Sequence, residues 1–253
     1  MIVDVSELPR RDSLTVVVLD VETTGLPRIN NAHPKMIRAF DGCRLLSLAA
    51  MKWELVLTGD QKSSRLVDSM HHIVFPEDHV VPPCPVHDIT HKKATRDGIP
   101  LARVIKSLCT MVDGADCVVA YNAPFDYNAI MSELHRYNYK TAMRQLEDVP
   151  WACAMRMATT HLGLVRWPKL GAAYAAMFPE SELADDKLHD ALYDTAVASQ
   201  VFMRVLDPDL TPGHILTEGP SRVLTRAGIK AACSMVSIDA PIQRCAPSTT
   251  LAS

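Results

Sequence analysis

Apolar residues form short runs of strand length in the first half of the chain and helix-spaced stretches in the second. The short runs are aliphatic or β-branched and lie at 14–19, 45–53, 71–76 and 115–121. The first three are joined by polar connections, which predicts an antiparallel meander. Helical spacing, or a proline in a first turn, predicts helices over 101–111, 124–137, 151–162, 169–177 and 191–206. Strands followed by helix-strand-helix and then helices are typical of a mixed α/β domain.

The same pattern sets the domain boundaries. We expect the α/β domain to span residues 10–207, because Asp207-Pro208 ends the last predicted helix. The remaining residues, 208–253, are rich in proline, serine and threonine, so we expect a partly disordered tail in which 222–236 could form one short helix.

Composition allows a full core but does not identify a partner. Of the 253 residues, 48 % are hydrophobic, and the formal net charge is −3. A slightly negative net charge does not attract nucleic acid to the protein as a whole. An acidic site in one place can nevertheless hide a basic groove in another, so the net charge does not exclude nucleic acid. No apolar run approaches the roughly 20 residues of a membrane span, and the charged N-terminal residues do not resemble a signal peptide. The seven cysteines are scattered without a Cys-x-x-Cys pair, so we expect free thiols in an intracellular protein of the cytosol or nucleus.

Two carboxylates follow the first predicted strand. Asp20 and Glu22 come directly after the run at 14–19, and residues i and i+2 of a strand point to the same face. Both would project from the strand's carboxyl end, where open α/β sheets bind ligands. Two anions about 4 Å apart repel by about 4 kcal/mol in an effective dielectric of about 20, which favours a bound cation. Alternatively, one carboxylate caps a turn and the other faces solvent.

Further candidate residues lie near the starts of two predicted helices. Asp126 follows the strand at 115–121, where a carboxylate could bind metal or simply complement the helix dipole. Asp194 lies in an otherwise apolar helical run, where an unpaired acid is costly. His189 precedes Asp194 by five residues, about 140° around a regular helix, so the two cannot share a helical face. We therefore expect His189 in the preceding loop and Asp190 near the N-cap; a solvated histidine is the alternative.

Together these motifs resemble the DEDD superfamily of 3′–5′ exonucleases, the DnaQ-like proteins, and within it the DEDDh branch. The resemblance covers about residues 14–206 and rests on three segments in the family's order: Asp20-Val21-Glu22-Thr23-Thr24-Gly25, Asn122-Ala123-Pro124-Phe125-Asp126, and His189 followed by Asp194. Residues 86–90 are similar to the family's Val-His-Gly-Ile-Thr segment but carry Asp88 in place of glycine. The resemblance implies an α/β fold of the ribonuclease-H-like type, a mixed central β-sheet flanked by α-helices.

The resemblance also implies a set of site residues. Four carboxylates would hold two divalent cations, Mg²⁺ or Mn²⁺, with His189 as general base: Asp20, Glu22, Asp126 and Asp194. Six residues would contact the terminal nucleotide: Thr23, Thr24, Gly25, Leu26, His87 and Asn122. For Leu26, plain core packing is the alternative. Two groups of basic residues could meet the phosphate backbone or could simply be solvated loop charge: Arg28, Lys35 and Arg38 in one, and Lys92, Lys93 and Arg96 in the other.

The activity implied is hydrolysis of phosphodiester bonds from a 3′ end, releasing nucleoside 5′-monophosphates. DNA, single-stranded in the first instance, is favoured because Asp-x-Glu-Thr-Thr-Gly-Leu resembles proofreading and DNA-degrading members. An exoribonuclease that trims RNA ends is one alternative, since no residue is recognisable as a reader of the 2′-hydroxyl. Another is a non-catalytic nucleic-acid-binding or polymerase-associated subunit, tethered to its partner by the tail at 208–253.

Overall fold

The computed structural model describes residues 2–3, 11–58, 62–181, 183 and 188–210. Within these ranges the strands form a single six-stranded sheet, made of β1 (Ile2–Val3), β2 (Ser13–Thr23), β3 (Leu45–Val56), β4 (Ser63–Ile73), β5 (Cys117–Ala120) and β6 (Trp151–Cys153). The α-helices of the described ranges are α1 (His91–Asp97), α2 (Leu101–Val112), α3 (Ala123–Arg136), α4 (Lys140–Asp148), α5 (Ala154–His161), α6 (Leu170–Met177) and α7 (Ala191–Leu206). A short 3-10 helix covers Ile37–Phe40.

The sheet order is β1-β6-β5-β2-β3-β4. Strands β2, β3 and β4 form the predicted antiparallel meander, which is confirmed. On the other side of β2, the strands β5, β6 and β1 run parallel to it. Apart from the two-residue edge strand β1, this is the order of the ribonuclease-H-like fold, in which the first long strand is central. The expected fold class is therefore confirmed.

Strand β2 is buried along its centre because helices cover the sheet. Val16 to Leu19 have no exposed surface, as expected for a central strand. Helix α7 packs on β2 and β3, and the indole of Trp53 donates a hydrogen bond of 3.2 Å to Ser199 of that helix. Trp53 is paired with Val16, so the face of β2 that carries Val16 also faces α7. Asp20 and Glu22 lie on this face.

Some element boundaries differ from the sequence predictions. The helix predicted at 151–162 begins instead as β6, and only Ala154–His161 is helical. Trp151–Cys153 is a fully buried apolar run, which periodicity cannot assign to strand or helix at this length. The strand predicted at 71–76 is the end of the longer β4, whose first half is largely polar because it lies at the sheet edge. Helices α1 and α4 were not predicted.

Other expectations concern the thiols and the tail. The five cysteines within the described ranges are free: Cys43, Cys84, Cys109, Cys117 and Cys153. No helix of those ranges combines the length and hydropathy needed to cross a bilayer. The tail predicted from residue 208, including the short helix at 222–236, lies outside the described residues beyond Leu210.

Candidate active site

The carboxyl end of β2 places Asp20 and Glu22 on the α7 side of the sheet. Their neighbours across the antiparallel pair are Ala49 and Ser47, small residues that leave room above the sheet. Asp20 keeps a partly accessible surface, whereas Glu22 is only 9 % exposed. A register irregularity follows Glu22, so the strand changes course immediately after the pair.

Asp126 joins this pair through the first turn of α3. The side chain is 3 % exposed, and its Oδ1 accepts a hydrogen bond of 3.2 Å from the backbone N–H of Val21. Val21 lies between Asp20 and Glu22, so this bond ties the start of α3 to the end of β2. A carboxylate that only complements a helix dipole would face solvent, and Asp126 does not.

Asp194 and His189 complete the group from the start of α7. Asp190 is the N-cap, and its carboxylate accepts hydrogen bonds from the N–H groups of Leu192 and Tyr193. Asp194 follows in the first turn, as predicted, and its Oδ2 accepts a bond of 3.1 Å from the N–H of His189. His189 has φ 73, a left-handed conformation that is uncommon for a non-glycine residue and that aims this N–H at the carboxylate.

These side chains form a group suited to a metal ion. One ligand atom from each of Glu22, His189 and Asp194 lies within 4.8 Å of the others. In addition, Oδ1 of Asp194 is buried without a hydrogen-bond partner among the described residues. A buried carboxylate oxygen without a partner is costly, and a cation would satisfy it. An oxygen-rich donor set suits Mg²⁺ or Mn²⁺ better than zinc.

The pKa values of all four acids are raised, and the causes are physical. Burial, followed by the charges of Asp194 and Asp126, raises the pKa of Glu22 to about 8. Burial raises the pKa of Asp126 to about 7 against backbone hydrogen bonds that lower it, and that of Asp194 to about 6. Burial and the charges of Asp126, Asp194 and Glu22 hold the pKa of Asp20 well above its usual range. The carboxylates therefore repel one another unless a proton or a cation separates them.

The loop after β2 is held by its own threonines. The hydroxyl of Thr23 donates to the carbonyl of Gly25 at 2.8 Å. The hydroxyl of Thr24 donates to the carbonyl of Gly42 at 3.0 Å and accepts from the N–H of Arg44 at 2.8 Å. A Cβ on Gly25 would lie 2.9 Å from the Gly42 carbonyl oxygen, so this close approach requires glycine. Thr23, Thr24 and Gly25, which are expected to contact a nucleotide, thus lie in a loop that is held by its own hydrogen bonds.

The remaining expected substrate residues differ in exposure. Leu26 is 76 % exposed, which removes the core-packing alternative for this side chain. Asn122 is also exposed, at the N-cap of α3. His87 is buried: its Nδ1 accepts from the N–H of Ile89 at 3.3 Å, and its Nε2 lies 3.1 Å from the carbonyl oxygen of Thr23. Both ring nitrogens therefore contact the backbone, and His87 supports the loop after β2 through the carbonyl of Thr23.

Sequence reasoning missed a buried ion pair behind this loop. Arg44 Nε donates to Glu133 Oε1 at 2.7 Å, and both side chains are buried. Arg44 also donates to Asp78 at 2.9 Å and to Tyr137 at 2.9 Å. The available signal was the position of Glu133 on the buried stripe of α3, beside Ile130 and Leu134. A buried glutamate at that position needs a cationic partner, but the sequence does not identify Arg44 as that partner.

The two basic groups lie on the surface. Arg28, Lys35, Arg38 and Lys92 are exposed, and Lys93 is partly so. Arg96 is committed to its neighbour, since its guanidinium donates to both carboxylate oxygens of Asp97 at 2.8 and 2.7 Å. Arg96 is thus less available for a phosphate than the other five.

Comparison with known proteins identifies the fold. No protein-family model and no curated protein matches the sequence. Among solved structures, exonuclease I from Methylocaldum szegediense matches 77 % of this chain and 41 % of its own at 18 % identity, with a TM-score of 0.50. This chain has the ribonuclease-H-like fold of exonuclease I. The family resemblance carried by the motifs is confirmed at the level of the fold.

Two further solved structures match with lower TM-scores. E. coli exonuclease I in complex with a 5cy-dA13 oligonucleotide gives a TM-score of 0.49 at 18 % identity over 77 % of this chain and 41 % of its own. A full-length 3′-exonuclease gives 0.47 at 12 % identity over 79 % of this chain and 62 % of its own. The chain thus spans about two-fifths of the length of the exonuclease I structures that it matches.

Proposed function

We propose that this protein is a metal-dependent 3′–5′ exonuclease of the DEDDh type that releases nucleoside 5′-monophosphates from nucleic acid, with single-stranded DNA preferred. The observation that carries the proposal is the grouping of Glu22, His189 and Asp194 within 4.8 Å, with an unpartnered buried oxygen on Asp194. A group of buried, mutually repelling carboxylates is stabilised in its charged form by cations. The exonuclease I fold supports nuclease chemistry at this end of β2.

The residues present fit two divalent cations. Asp20, Glu22, Asp126 and Asp194 would hold Mg²⁺ or Mn²⁺ through carboxylate oxygens. When bound, such a pair lowers the pKa of a water molecule and stabilises the negative charge that develops on the leaving oxygen. The backbone N–H groups of Val21 and His189 orient the carboxylates of Asp126 and Asp194 for this role.

His189 would act as general base. Its ring nitrogen lies within 4.8 Å of the ligand atoms of Glu22 and Asp194, close to where the attacking water would be held. The side chain is exposed, so a proton accepted at this nitrogen can pass on to solvent. Its backbone N–H donates to Asp194, which would keep this residue beside the metal-binding carboxylates.

The loop at Thr23 to Leu26 would form the floor for the 3′-terminal nucleotide. Leu26, exposed in the free protein, would pack against the terminal base, and Asn122 would contact the same nucleotide from the start of α3. His87 would hold the floor in place through the Thr23 carbonyl. DNA is the favoured substrate because the Asp-x-Glu-Thr-Thr-Gly-Leu segment is similar to that of DNA-degrading members of the DEDD superfamily.

A digestion panel tests the proposal. Single- and double-stranded DNA and RNA of one sequence, labelled at the 3′ end, are incubated with Mg²⁺, Mn²⁺ or a chelator. We expect metal-dependent release of labelled nucleoside 5′-monophosphate, fastest from single-stranded DNA. Faster release from RNA would reassign the substrate, and binding without release would make the protein a non-catalytic nucleic-acid-binding module.

A further inference from the structure

The loop between α5 and α6, residues 162–169, exposes an unusual amount of apolar surface. Trp167 is 66 % exposed, Val165 100 % and Leu164 45 %. The other two tryptophans, Trp53 and Trp151, are 1 % and 0 % exposed. An exposed tryptophan within a larger exposed apolar patch indicates a surface that binds a partner.

The chain segment that carries Trp167 is positively charged. Residues 150–179 contain Arg156, Arg166 and Lys169 but no aspartate or glutamate. All three cations are exposed. Within the described ranges, none of them forms an ion pair with an acidic side chain. The partner of this surface should therefore be apolar in part and negatively charged, as a nucleic-acid strand is.

Contacts at both ends of the loop place it beside the candidate active site. The hydroxyl of Tyr121 donates to the carbonyl of Pro168 at 2.8 Å. Ala120 pairs with Leu19, so Tyr121, the next residue, lies next to Asp20. Just after the loop, a Cβ on Gly171 would be 3.3 Å from Leu188 Cδ1, and Leu188 adjoins His189. The loop that carries Trp167 is thus anchored near the end of β2 through Pro168 and near the start of α7 through Gly171.

We propose that Trp167 is a stacking platform for an unpaired base of the substrate strand, flanked by Arg166 and Lys169 as phosphate contacts. This inference rests on the proposed function and specifies its substrate as a strand that is unpaired near the cleaved bond. An indole stacks on the face of any base, and this contact is independent of sequence. A base within a duplex has both faces covered by its neighbours, so a blunt duplex offers only the outer face of its terminal pair and should use the platform less well than an unpaired strand.

Tryptophan fluorescence tests the proposal directly, because Trp53 and Trp151 are buried and respond little to ligands. The protein carries Asp194→Asn to prevent digestion and is titrated with a short oligodeoxyadenylate, with an abasic oligonucleotide of equal length, and with a blunt duplex. We expect quenching of the emission by the oligodeoxyadenylate alone. Trp167→Ala should raise its Kd by about five- to a hundred-fold, as expected for one lost stacking contact, and Trp167→Phe should restore most of the affinity.

Val165→Ala provides the matched control in the same loop, and we expect it to change the Kd by no more than about two-fold. Equal losses from Val165→Ala and Trp167→Ala would overturn the proposal in favour of a general apolar patch. An abasic oligonucleotide that binds as tightly as the oligodeoxyadenylate would overturn it in favour of charge alone. Resistance of Trp167 to iodide quenching in the free protein would also overturn it, because the ring would then be covered by another part of the chain.

The outcome separates this inference from the proposed function. Trp167-dependent binding by a wild-type protein that releases no nucleotide would contradict only the nuclease activity. Metal-dependent release that is equally fast for wild type and Trp167→Ala at low substrate concentration, with no change in Kd, would contradict only the stacking platform.

Discussion

Asp126 Oδ1 lies 3.2 Å from the backbone nitrogen of Val21, the residue that separates Asp20 from Glu22. This hydrogen bond joins residues that are 105 positions apart in the chain, and it places the third carboxylate beside the first two. The strand that presents Asp20 and Glu22 thus also supplies the donor that positions Asp126.

Asp126→Asn should separate the charge of this side chain from its hydrogen bond. The amide oxygen can still accept from Val21 and a buried charge is removed, so the melting temperature in chelator should not fall. The loss of a metal-binding charge should lower nucleotide release by at least about 100-fold. Asp126→Ala should lose activity equally and should also unfold more easily, because the buried Val21 N–H loses its acceptor. Full activity of a folded Asp126→Asn protein would contradict the assignment.

The raised pKa values predict a pH dependence of the metal-free protein. Folding raises the pKa of Glu22 to about 8 and that of Asp126 to about 7, whereas the unfolded chain has ordinary values of about 4. The folded state therefore binds more protons, and its stability must fall as pH rises from the unfolded pKa through about 8. A tenfold difference in proton affinity between the folded and unfolded states corresponds to about 1.4 kcal/mol in the free energy of unfolding.

Thermal melts in chelator and in Mn²⁺ across this pH range measure the effect. The melting temperature in chelator should fall with pH, and the increase caused by Mn²⁺ should grow. Glu22→Gln should raise the melting temperature in chelator at pH values near 8 and should reduce the Mn²⁺ effect. If the melting temperature in chelator rose between pH 6 and pH 8, the change would be opposite to the one expected. That result would contradict the raised pKa values of these carboxylates.

His189→Asn tests the general base without disturbing the backbone. Asparagine tolerates the left-handed conformation that His189 adopts at φ 73, so the N–H bond to Asp194 should survive. We expect nucleotide release to fall by at least about 100-fold while the stabilisation by Mn²⁺ persists. If Mn²⁺ stabilisation disappeared as well, His189 would be needed to hold the metal.

The buried pair of Arg44 and Glu133 should stabilise the loop that carries Thr24. Glu133→Ala leaves a buried guanidinium with less compensation and should cost about 3–5 kcal/mol in the free energy of unfolding. The double variant Arg44→Met, Glu133→Leu should recover much of this loss, because apolar residues can replace a buried pair. Denaturant unfolding of both variants provides the measurement, and equal stabilities of the single variant and the wild type would contradict the role.

Local patterns were sufficient for several features of the fold and the site. The meander follows from three apolar runs, and the shared face of Asp20 and Glu22 follows from the i, i+2 geometry of a strand. The cap at Asp190 and the first-turn position of Asp194 follow from helix-start chemistry. Each of these relationships lies within one element and its flanks, or between elements that follow one another in the chain.

The unpredicted features depend on distant parts of the chain. Arg44 and Glu133 are 89 residues apart, and no local rule pairs them. The buried run Trp151–Cys153 became a strand because β5 and β1 flank it in the sheet. The contacts of His87 with the backbone of Thr23 and Ile89 could not be predicted from the sequence either, because Thr23 and His87 are brought together only by the tertiary structure.

The most direct test of the central claim is product analysis on single-stranded DNA labelled at its 3′ end, with wild type and Asp20→Asn compared in Mn²⁺ and in chelator. We predict labelled nucleoside 5′-monophosphate from the wild type in Mn²⁺. We also predict no release in chelator, and a loss of at least about 100-fold in a folded Asp20→Asn protein. Equal release by Asp20→Asn, or release unaffected by chelator, would contradict a metal-dependent nuclease built on these carboxylates.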